Sequence, residues 1–247
     1  MNVLVTGGGT VSPIDDVRSI TNTSTGRFSA TISEECLARG ATVHHVHAWG
    51  AELPFFRAAR FDLDAVGEDA EREIERLESL RSRYRAVRDR LHLIPLRPAT
   101  VSAYASVLEG LLTSRPFDLV LLAMAVSDYE PEPIAGKIES SSESLLVRCR
   151  RTSKVIRRVR DWAPSAFLVG FKLLSHESEA ELIRRAEDVC LQNRAEATVA
   201  NDLRTLREGR HTVHLVRPGQ APETFGPSPT MAGELVERVF ALTQAGR

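Results

Sequence analysis

The chain has 247 residues, of which 43% are hydrophobic and 26% charged, and 32 Lys and Arg nearly balance 33 Asp and Glu to give a formal net charge of −1. This balance argues against a bulk electrostatic attraction to nucleic acid or to a membrane surface. The sequence starts directly in a predicted strand and has no apolar run of about 18 residues, and its three cysteines show no metal-binding spacing. We therefore expect a soluble cytoplasmic protein whose cysteines are reduced and pack as small buried hydrophobic residues.

The first forty residues carry the strongest pattern. Residues 2–6 are a short apolar run typical of a buried strand, and three glycines follow it at positions 7–9. A polar, irregular segment then leads to Gly26, after which a helical pattern ends at Gly40. Strand, glycine turn and helix form the first half of a dinucleotide-binding unit, whose helix N-terminus offers N–H groups to an anion. The connection of about sixteen residues is far longer than such units need, so we predict that it lines a site.

This connection resembles the signature loop of a known family. Its sequence, GGGTVSPIDDVRSITNTSTG, is similar to the pattern GGTxxPxDxVRxIxNxSSG of the phosphopantothenate–cysteine ligase family. The similarity continues downstream, where AMAVSDYEP matches the family's AAVxDxxP segment and DWAPSAFLVGFKL matches a passage of its eukaryotic-type members. The resemblance implies a ligase that joins 4′-phosphopantothenate to L-cysteine through an acyl-nucleotide, in coenzyme A biosynthesis, and consumes ATP or CTP.

Residues 42–47 predict a second strand with three histidines. No further ligand cluster accompanies them, so we expect polar residues at a strand end and no metal site built by the protein. Residues 69–91 repeat apolar side chains at three- and four-residue steps among Glu and Arg, which predicts a long helix with a solvated face. The resemblance implies that residues from about 52 to 91 are the helical insertion of eukaryotic-type members.

Residues 117–124 are a continuous apolar run entered through Pro116, which is typical of a central parallel strand. Parallel sheets bind ligands beyond the carboxyl ends of their strands, where the strand order reverses, so the loops after residues 6 and 124 should form the crevice. Asp128 stands in the second loop, where it would bind substrate or cap a turn. Residues from about 130 to 144 predict a flexible flap, whose Lys137 would screen charge at an anion site.

The remaining elements complete the predicted fold. Strands are predicted at 92–96, 145–150, 166–171, 197–200 and 212–216, and helices at 101–112, 154–162, 179–192 and 230–242. We expect one domain over residues 1–247, with a Rossmann-like, three-layer α/β fold. Its central sheet should be mostly parallel, with a small antiparallel addition near residues 145–217.

The resemblance also implies roles for residues that match the family's motifs. The nucleotide is expected to be held by Gly8, Gly9, Ser24, Gly26, Phe171, Lys172 and Asn201. Phosphopantothenate is expected to be held by Arg18, Asn22, Ala125 and Asp128, with Asn22 and Lys137 acting catalytically. Mg²⁺ is expected to accompany the nucleotide, and a homodimer is expected because family members commonly are homodimers.

Two alternatives stay open. An NAD(P)- or flavin-dependent oxidoreductase is possible on the same fold, although the GxGxxG spacing is missing and the second strand ends in HVHAWG, without an acidic residue for a ribose. The other alternative is a non-catalytic relative of the ligase that only binds a ligand. It stays open because GKIES retains one lysine of the family's flap, and because LLSHES differs from the Glu-Thr that usually follows in the family. ATP is favoured over CTP by the FKL sequence and the helical insertion.

Overall fold

The computed structural model describes residues 1–139, 143–175 and 178–246. Within these ranges the chain forms twelve strands and seven α-helices. In chain order they are β1 (Asn2–Gly7), β2 (Val11–Pro13), β3 (Ser19–Thr21), α1 (Arg27–Ala38), β4 (Thr42–His47), α2 (Glu68–Val87), β5 (Leu91–Pro95), α3 (Val101–Ser114), β6 (Leu119–Leu122), β7 (Tyr129–Pro131), β8 (Cys149–Arg151), α4 (Ile156–Trp162), β9 (Phe167–Leu174), α5 (Glu179–Gln192), β10 (Ala197–Asp202), α6 (Leu203–Arg207), β11 (Val213–Val216), β12 (Glu223–Phe225) and α7 (Met231–Ala245). None of the described helices combines the length and the apolar character needed to cross a bilayer.

Eight strands form one sheet in the order β12-β11-β10-β9-β6-β1-β4-β5. The six strands from β10 to β5 are parallel, and β11 and β12 join antiparallel at one edge. From β1 the chain runs outward through β4 to β5 and then returns to β6 on the other side of β1. The strand order therefore reverses between β1 and β6, as the sequence predicts, and this point is where such sheets bind ligands.

Helices cover both faces of the sheet because side chains alternate along each strand. On β1, Val3 and Val5 pack in a cluster with α1, α2 and α7, whereas Leu4 packs in a second cluster with α3 and α4. On β10, Val199 belongs to the first cluster and Ala200 packs against α5 on the opposite face. The three layers confirm the predicted α/β architecture.

Two local predictions are wrong in their details. The polar segment before Gly26 is not irregular throughout, because β2 and β3 form a short hairpin in which Val11 lies opposite Thr21. The helix predicted at 69–91 begins at Glu68 and ends at Val87. One 3-10 turn follows, and Leu91 already begins β5 because it pairs with Val43.

The antiparallel part is also placed differently. Within the expected range 145–217, β9 and β10 are parallel members of the main sheet, and the antiparallel edge extends to β12. The strand predicted at 145–150 is reduced to β8, which pairs with β7 in a separate two-stranded ribbon. Leu146 is 92% exposed, so the apolar residues before β8 are not drawn into a sheet by burial.

The expectation that all three cysteines are buried is corrected, and the histidines of β4 find defined partners. Cys36 and Cys190 are buried as predicted, but Cys149 is exposed because it lies on the two-stranded ribbon. His44 and His45 lie in β4 and both side chains are buried, since His45 Nδ1 lies 2.8 Å from the Ser33 hydroxyl oxygen of α1 and the His44 ring packs against the rings of His92 and Phe117.

Candidate functional site

The loops after β1 and β6 are fastened together at the point where the strand order reverses. The Ala125 amide donates to the Gly8 carbonyl oxygen at 2.9 Å, and the Thr10 amide donates to the Ala125 carbonyl oxygen at 3.0 Å. The Ser127 amide donates to the Thr10 hydroxyl oxygen at 3.0 Å. These bonds hold the glycine turn and the loop that carries Asp128 side by side, as the sequence predicts.

Glycine is required where the signature loop folds back on the strand end. A Cβ at Gly9 would lie 2.5 Å from the Asn22 carbonyl oxygen, which is closer than two such atoms can approach. Gly26 has φ of +77°, and a Cβ there would meet the Gly8 amide nitrogen at 3.2 Å. The glycines therefore bring Asn22 and the start of α1 against the end of β1. Gly8 and Gly9 are themselves buried and are not among the residues that line the adjacent cavity.

A cavity of about 1160 Å³ opens at the carboxyl edge of the sheet. Pockets for one small ligand commonly have about 300–1000 Å³, so this cavity has room for more than one substrate. Its walls include residues 21–29, 122–128, 152–157, 171–173 and 231–232. The walls thus come from the signature loop, from the loop after β6, and from the segments around α4, β9 and α7.

Most of the predicted site residues meet at this cavity. They come from four stretches of the chain that are far apart in sequence and converge at the carboxyl edge of the sheet. Those that line it are Asn22, Ser24, Gly26, Ala125, Asp128, Phe171, Lys172 and Asn201.

An aromatic cluster forms the wall around Phe171. The Phe28 ring meets the Phe171 ring edge-on at a centroid distance of 6.1 Å, and it meets the His211 ring at 4.7 Å. All three side chains line the cavity, and burial lowers the pKa of His211. Of these three residues the sequence predicts a role only for Phe171. Phe28 lies in the helical pattern that follows Gly26, and nothing local in the sequence points to His211.

The start of α1 also faces the cavity. Gly26 provides no side-chain cap, and the first turn of α1 carries no acidic residue. The positive end of the helix dipole is therefore not neutralised from within its first turn, and it favours an anion. Arg27, the first residue of α1, is held by Glu52 through two contacts of 3.1 and 3.2 Å.

Arg18 and Lys137, the other predicted cations, are not among the residues that line the cavity. The Arg18 guanidinium donates to Asp15 Oδ2 at 2.9 Å and to the Ile138 carbonyl oxygen at 2.6 Å. Asp15 Oδ2 also accepts the Ile138 amide at 3.0 Å. The start of the flap, with exposed Lys137, is thereby tied to the hairpin of the signature loop.

Asp15 organises this contact as an ionised carboxylate. Burial opposes its ionisation, but hydrogen bonds from the Ile138 amide, the Arg18 guanidinium and the amides of Val17 and Arg18 outweigh this and lower the pKa of Asp15 well below its usual range. The carboxylate thus serves the shape of the loop.

Two segments depart from the family's pattern, the flap with GKIES and the LLSHES stretch. Residues 140–142 of the flap and 176–177 of LLSHES lie outside the described residues.

Lys154 and Arg157 are cavity residues to which the sequence analysis gave no role. Lys154 Nζ lies 2.5 Å from Asp128 Oδ1, so the predicted substrate-binding carboxylate is paired with a lysine 26 positions later. The only signal in the sequence was the basic start of the helix predicted at 154–162.

Comparison with known proteins places these features in a family. Residues 1–62 and 99–242 match the family described as the DNA/pantothenate metabolism flavoprotein C-terminal domain. The unmatched range 63–98 overlaps the insertion expected at 52–91 and contains α2 and β5.

Two curated relatives illustrate the similarity. Phosphopantothenate–cysteine ligase 2 of Oryza sativa subsp. japonica is 31% identical over 226 residues. The match covers 83% of this chain and 69% of the length of that protein. The coenzyme A biosynthesis bifunctional protein CoaBC of Thermococcus kodakarensis is 30% identical over 214 residues, or 87% of this chain and 44% of its own length. The chain thus spans about half the length of the first curated relatives that it matches.

A solved structure of a Cab2 mutant in complex with phosphopantothenate-cysteine has a TM-score of 0.85 and 23% sequence identity. The match covers 99% of this chain and 87% of that chain. At this identity the likeness establishes the shared fold.

Proposed function

The chain belongs to the DNA/pantothenate metabolism flavoprotein C-terminal domain family, and we propose that it is a ligase that joins 4′-phosphopantothenate to L-cysteine. The ligase names of its relatives support this proposal. We propose that it consumes ATP or CTP, forms an acyl-nucleotide intermediate, and releases pyrophosphate and the nucleoside monophosphate.

One observation carries the proposal. The signature loop, the loop after β6 and the ends of β9 and β10 line one cavity of about 1160 Å³, although they are far apart in the sequence. The cavity combines an open helix N-terminus with the cations Lys154, Arg157 and Lys172. This combination suits a reaction between two crowded anions.

In the first step, the pantothenate carboxylate attacks the α-phosphorus of the nucleotide and pyrophosphate leaves. A carboxylate with a pKa near 4 is already ionised at neutral pH, so no general base is needed for this attack. What the site must supply is positive charge and N–H donors around the phosphates. We propose that Ser24, Lys172, Asn201 and the first amides of α1 supply them, with Phe171 against the base.

In the second step, the cysteine amine attacks the acyl carbon and the nucleoside monophosphate leaves. We propose that the Asn22 side chain donates a hydrogen bond to the acyl oxygen on which negative charge develops. We propose that Ala125 and Asp128, in the loop after β6, hold the pantothenate portion. Asn22 lines the cavity next to the N-terminus of α1, so one side chain can serve both the nucleotide and the acyl group.

Mg²⁺ is proposed to arrive with the nucleotide. No three His, Cys, Asp or Glu side chains cluster as a metal site in the described part of the chain. The two cavity carboxylates, Glu52 and Asp128, are each paired with a cation. Mg²⁺ commonly binds through substrate phosphates with few protein ligands, so a nucleotide-borne ion fits this donor set.

We also propose a homodimer in which each copy completes its partner's site. Arg18 and Lys137 sit on the contact between the signature-loop hairpin and the flap, outside the cavity walls of their own chain. Exposed apolar side chains accompany them, including Val17 at 64% and Tyr129 at 60% exposure. A second copy packed on this surface would bury these apolar side chains. Arg18 and Lys137 of one copy would then lie near the cavity of the other copy.

A pyrophosphate-release assay tests the ligase proposal. With 4′-phosphopantothenate, Mg²⁺ and ATP or CTP, we expect a single turnover of pyrophosphate without cysteine and continuous turnover with it. The nucleotide that supports turnover identifies the preference.

Other outcomes identify the alternatives. Nucleotide binding without pyrophosphate release would favour a non-catalytic relative, and NADPH or flavin binding in its place would favour an oxidoreductase. Either result overturns the ligase proposal.

A further inference from the structure

We propose that Lys154 is a substrate-binding residue, whose ammonium group is oriented by Asp128 to bind an anionic oxygen of the acid substrate. The proposal rests on the ligase function proposed above and adds a cation to the acid site. The anionic oxygen can belong to a phosphate or to a carboxylate of the same substrate.

The first support is the geometry of the pair. Lys154 Nζ contacts Asp128 Oδ1 at 2.5 Å, and both residues line the cavity. The side chains are 43% and 57% exposed, so a ligand in the cavity can reach them. An ammonium has three N–H donors, and one contact with Asp128 leaves two for a ligand.

The second support is the rigid attachment of this segment to the crevice. The Thr152 amide donates to the Asp128 carbonyl oxygen at 3.0 Å, and the Thr152 hydroxyl donates to the Ser127 carbonyl oxygen at 2.6 Å. Ser127 is in turn bonded to Thr10 at the end of β1. Lys154 is therefore held beside the Ala125–Asp128 loop.

The third support is the distribution of charge around the cavity. Arg27 is engaged by both carboxylate oxygens of Glu52, and Arg157 donates to the Gln192 amide oxygen. Lys172 stands at the end of β9, next to Phe171. Among the described cations that line the cavity, Lys154 is the one bonded to the Asp128 loop, and Lys137 lies outside the walls.

The chain offers a matched control. Glu130 and Arg150 form a similar ion pair at 3.2 Å across the ribbon of β7 and β8, close to Asp128 and Lys154 in the sequence. Neither of them lines the cavity. Loss of Arg150 removes an ion pair from the ribbon beside the Asp128–Lys154 pair without removing a cation from the cavity.

The experiment compares Lys154→Gln with Arg150→Gln in the pyrophosphate-release assay. For Lys154→Gln we expect the KM for 4′-phosphopantothenate to rise about tenfold or more, because a charge-assisted hydrogen bond is lost. The KM for the nucleotide should stay within about twofold, and Lys154→Arg should recover part of the loss. Arg150→Gln should leave both KM values within about twofold.

Other results overturn the inference. If Lys154→Gln raises the KM of the nucleotide and not that of the acid, Lys154 serves the other substrate. If both KM values and the thermal midpoint change in parallel, as they would for a lost structural contact, Lys154 only fastens two loops. An active wild type with an unaffected Lys154→Gln variant rejects this inference alone, whereas an inactive wild type rejects the ligase proposal as well.

Discussion

Asn22 is positioned by its own backbone. Its carbonyl oxygen accepts the Ser24 amide at 2.9 Å and lies 2.5 Å from the position that a Cβ on residue 9 would take. The main chain is therefore held in place, and the side chain lies at the cavity wall. A side chain held in this way is preorganised to donate a hydrogen bond. Its amide can therefore stabilise charge that develops during the reaction.

Asn22→Asp should slow the second step. The substitution removes a preorganised donor worth roughly 3 kcal/mol, which corresponds to about 100-fold in rate. The acyl-nucleotide should then accumulate, and quenched-flow analysis with labelled nucleotide measures it. Gln220→Glu, an amide-to-carboxylate change at an exposed turn, is the control and should be silent. Wild-type rates of both pyrophosphate release and amide formation in Asn22→Asp would reject the assigned role.

His45 links stability to pH. Its Nδ1 lies 2.8 Å from the Ser33 hydroxyl oxygen, and its Nε2 is buried without a hydrogen-bond partner among the described residues. Burial lowers the pKa of His45 to about 3. The unfolded chain gains a proton at this residue below about pH 6.5 and the folded chain does not, so stability falls as the pH drops from about 6.5 toward 3.

His45→Gln should flatten this dependence. The slope contributed by one histidine is at most about 1.4 kcal/mol per pH unit, and it should be lost from the variant between about pH 6.5 and 4. Urea unfolding at several pH values measures it. Parallel curves for wild type and variant would mean that His45 takes up its proton equally in both states.

The loop between β1 and α1 is shaped by close backbone contacts. Gly9 touches the carbonyl oxygen of Asn22, and Gly26 begins α1 from a left-handed conformation next to Gly8. The hairpin of β2 and β3 lies between these two glycines in the sequence, and Asp15 ties that hairpin to the flap. The length of the loop therefore serves an ordered structure with two separate contacts.

Gly9→Ala should disturb this element. A methyl group 2.5 Å from the Asn22 carbonyl oxygen forces the loop to move, at a cost of about 1–3 kcal/mol, and should also lower the ligase rate. Gly110→Ala is the control, because Gly110 lies inside α3 with no atom within 4 Å of the new methyl group. It should raise stability by about 0.5–1 kcal/mol. Thermal unfolding distinguishes the two, and an equally stable Gly9→Ala variant would show that the loop adapts.

Helix α2 lies outside the matched family ranges, in the part of the chain where the insertion is expected. Leu80 of α2 is buried and packs in the cluster shared with α1 and α7, and Phe55 and Phe56 both contact the Tyr84 ring. The remaining face of α2 carries exposed charges such as the Asp69–Arg72 pair. The alternating apolar and charged pattern thus predicted both the helix and its solvated face.

At the scale of the whole molecule, the proposed dimer can be tested by mixing subunits. Arg18→Gln should inactivate the site of the partner subunit, because Arg18 reaches the partner's cavity. Asn22→Asp should inactivate the site of the subunit that carries it. A mixed dimer then contains one intact site, so random mixing of the two variants should restore about a quarter of wild-type activity. No recovery after subunit exchange, checked by light scattering, would show that Arg18 serves its own chain.

The sequence by itself determined the α/β class, the parallel strands, and eight of the residues that meet at the cavity. The class and the strands follow from local signals: apolar runs, helical periodicity, glycines at tight turns, and the rule that parallel strands present ligands at their carboxyl ends. The eight residues were identified through the resemblance of their motifs to the family. The signature loop and the DWAPSAFLVGFKL passage also lie in continuous stretches, so their resemblance to the family could be recognised directly.

Only the tertiary structure decided which charges meet. Asp128 pairs with Lys154, 26 positions later, and Arg18 donates to the Ile138 carbonyl oxygen, 120 positions later. In the same way the ring of Phe28 meets that of His211, more than a hundred residues away. Such contacts depend on how the sheet edge gathers its loops, and no period or spacing in the sequence encodes that arrangement. For the same reason the exposure of Cys149 and the burial of His45 appear only when the neighbouring strands are in place.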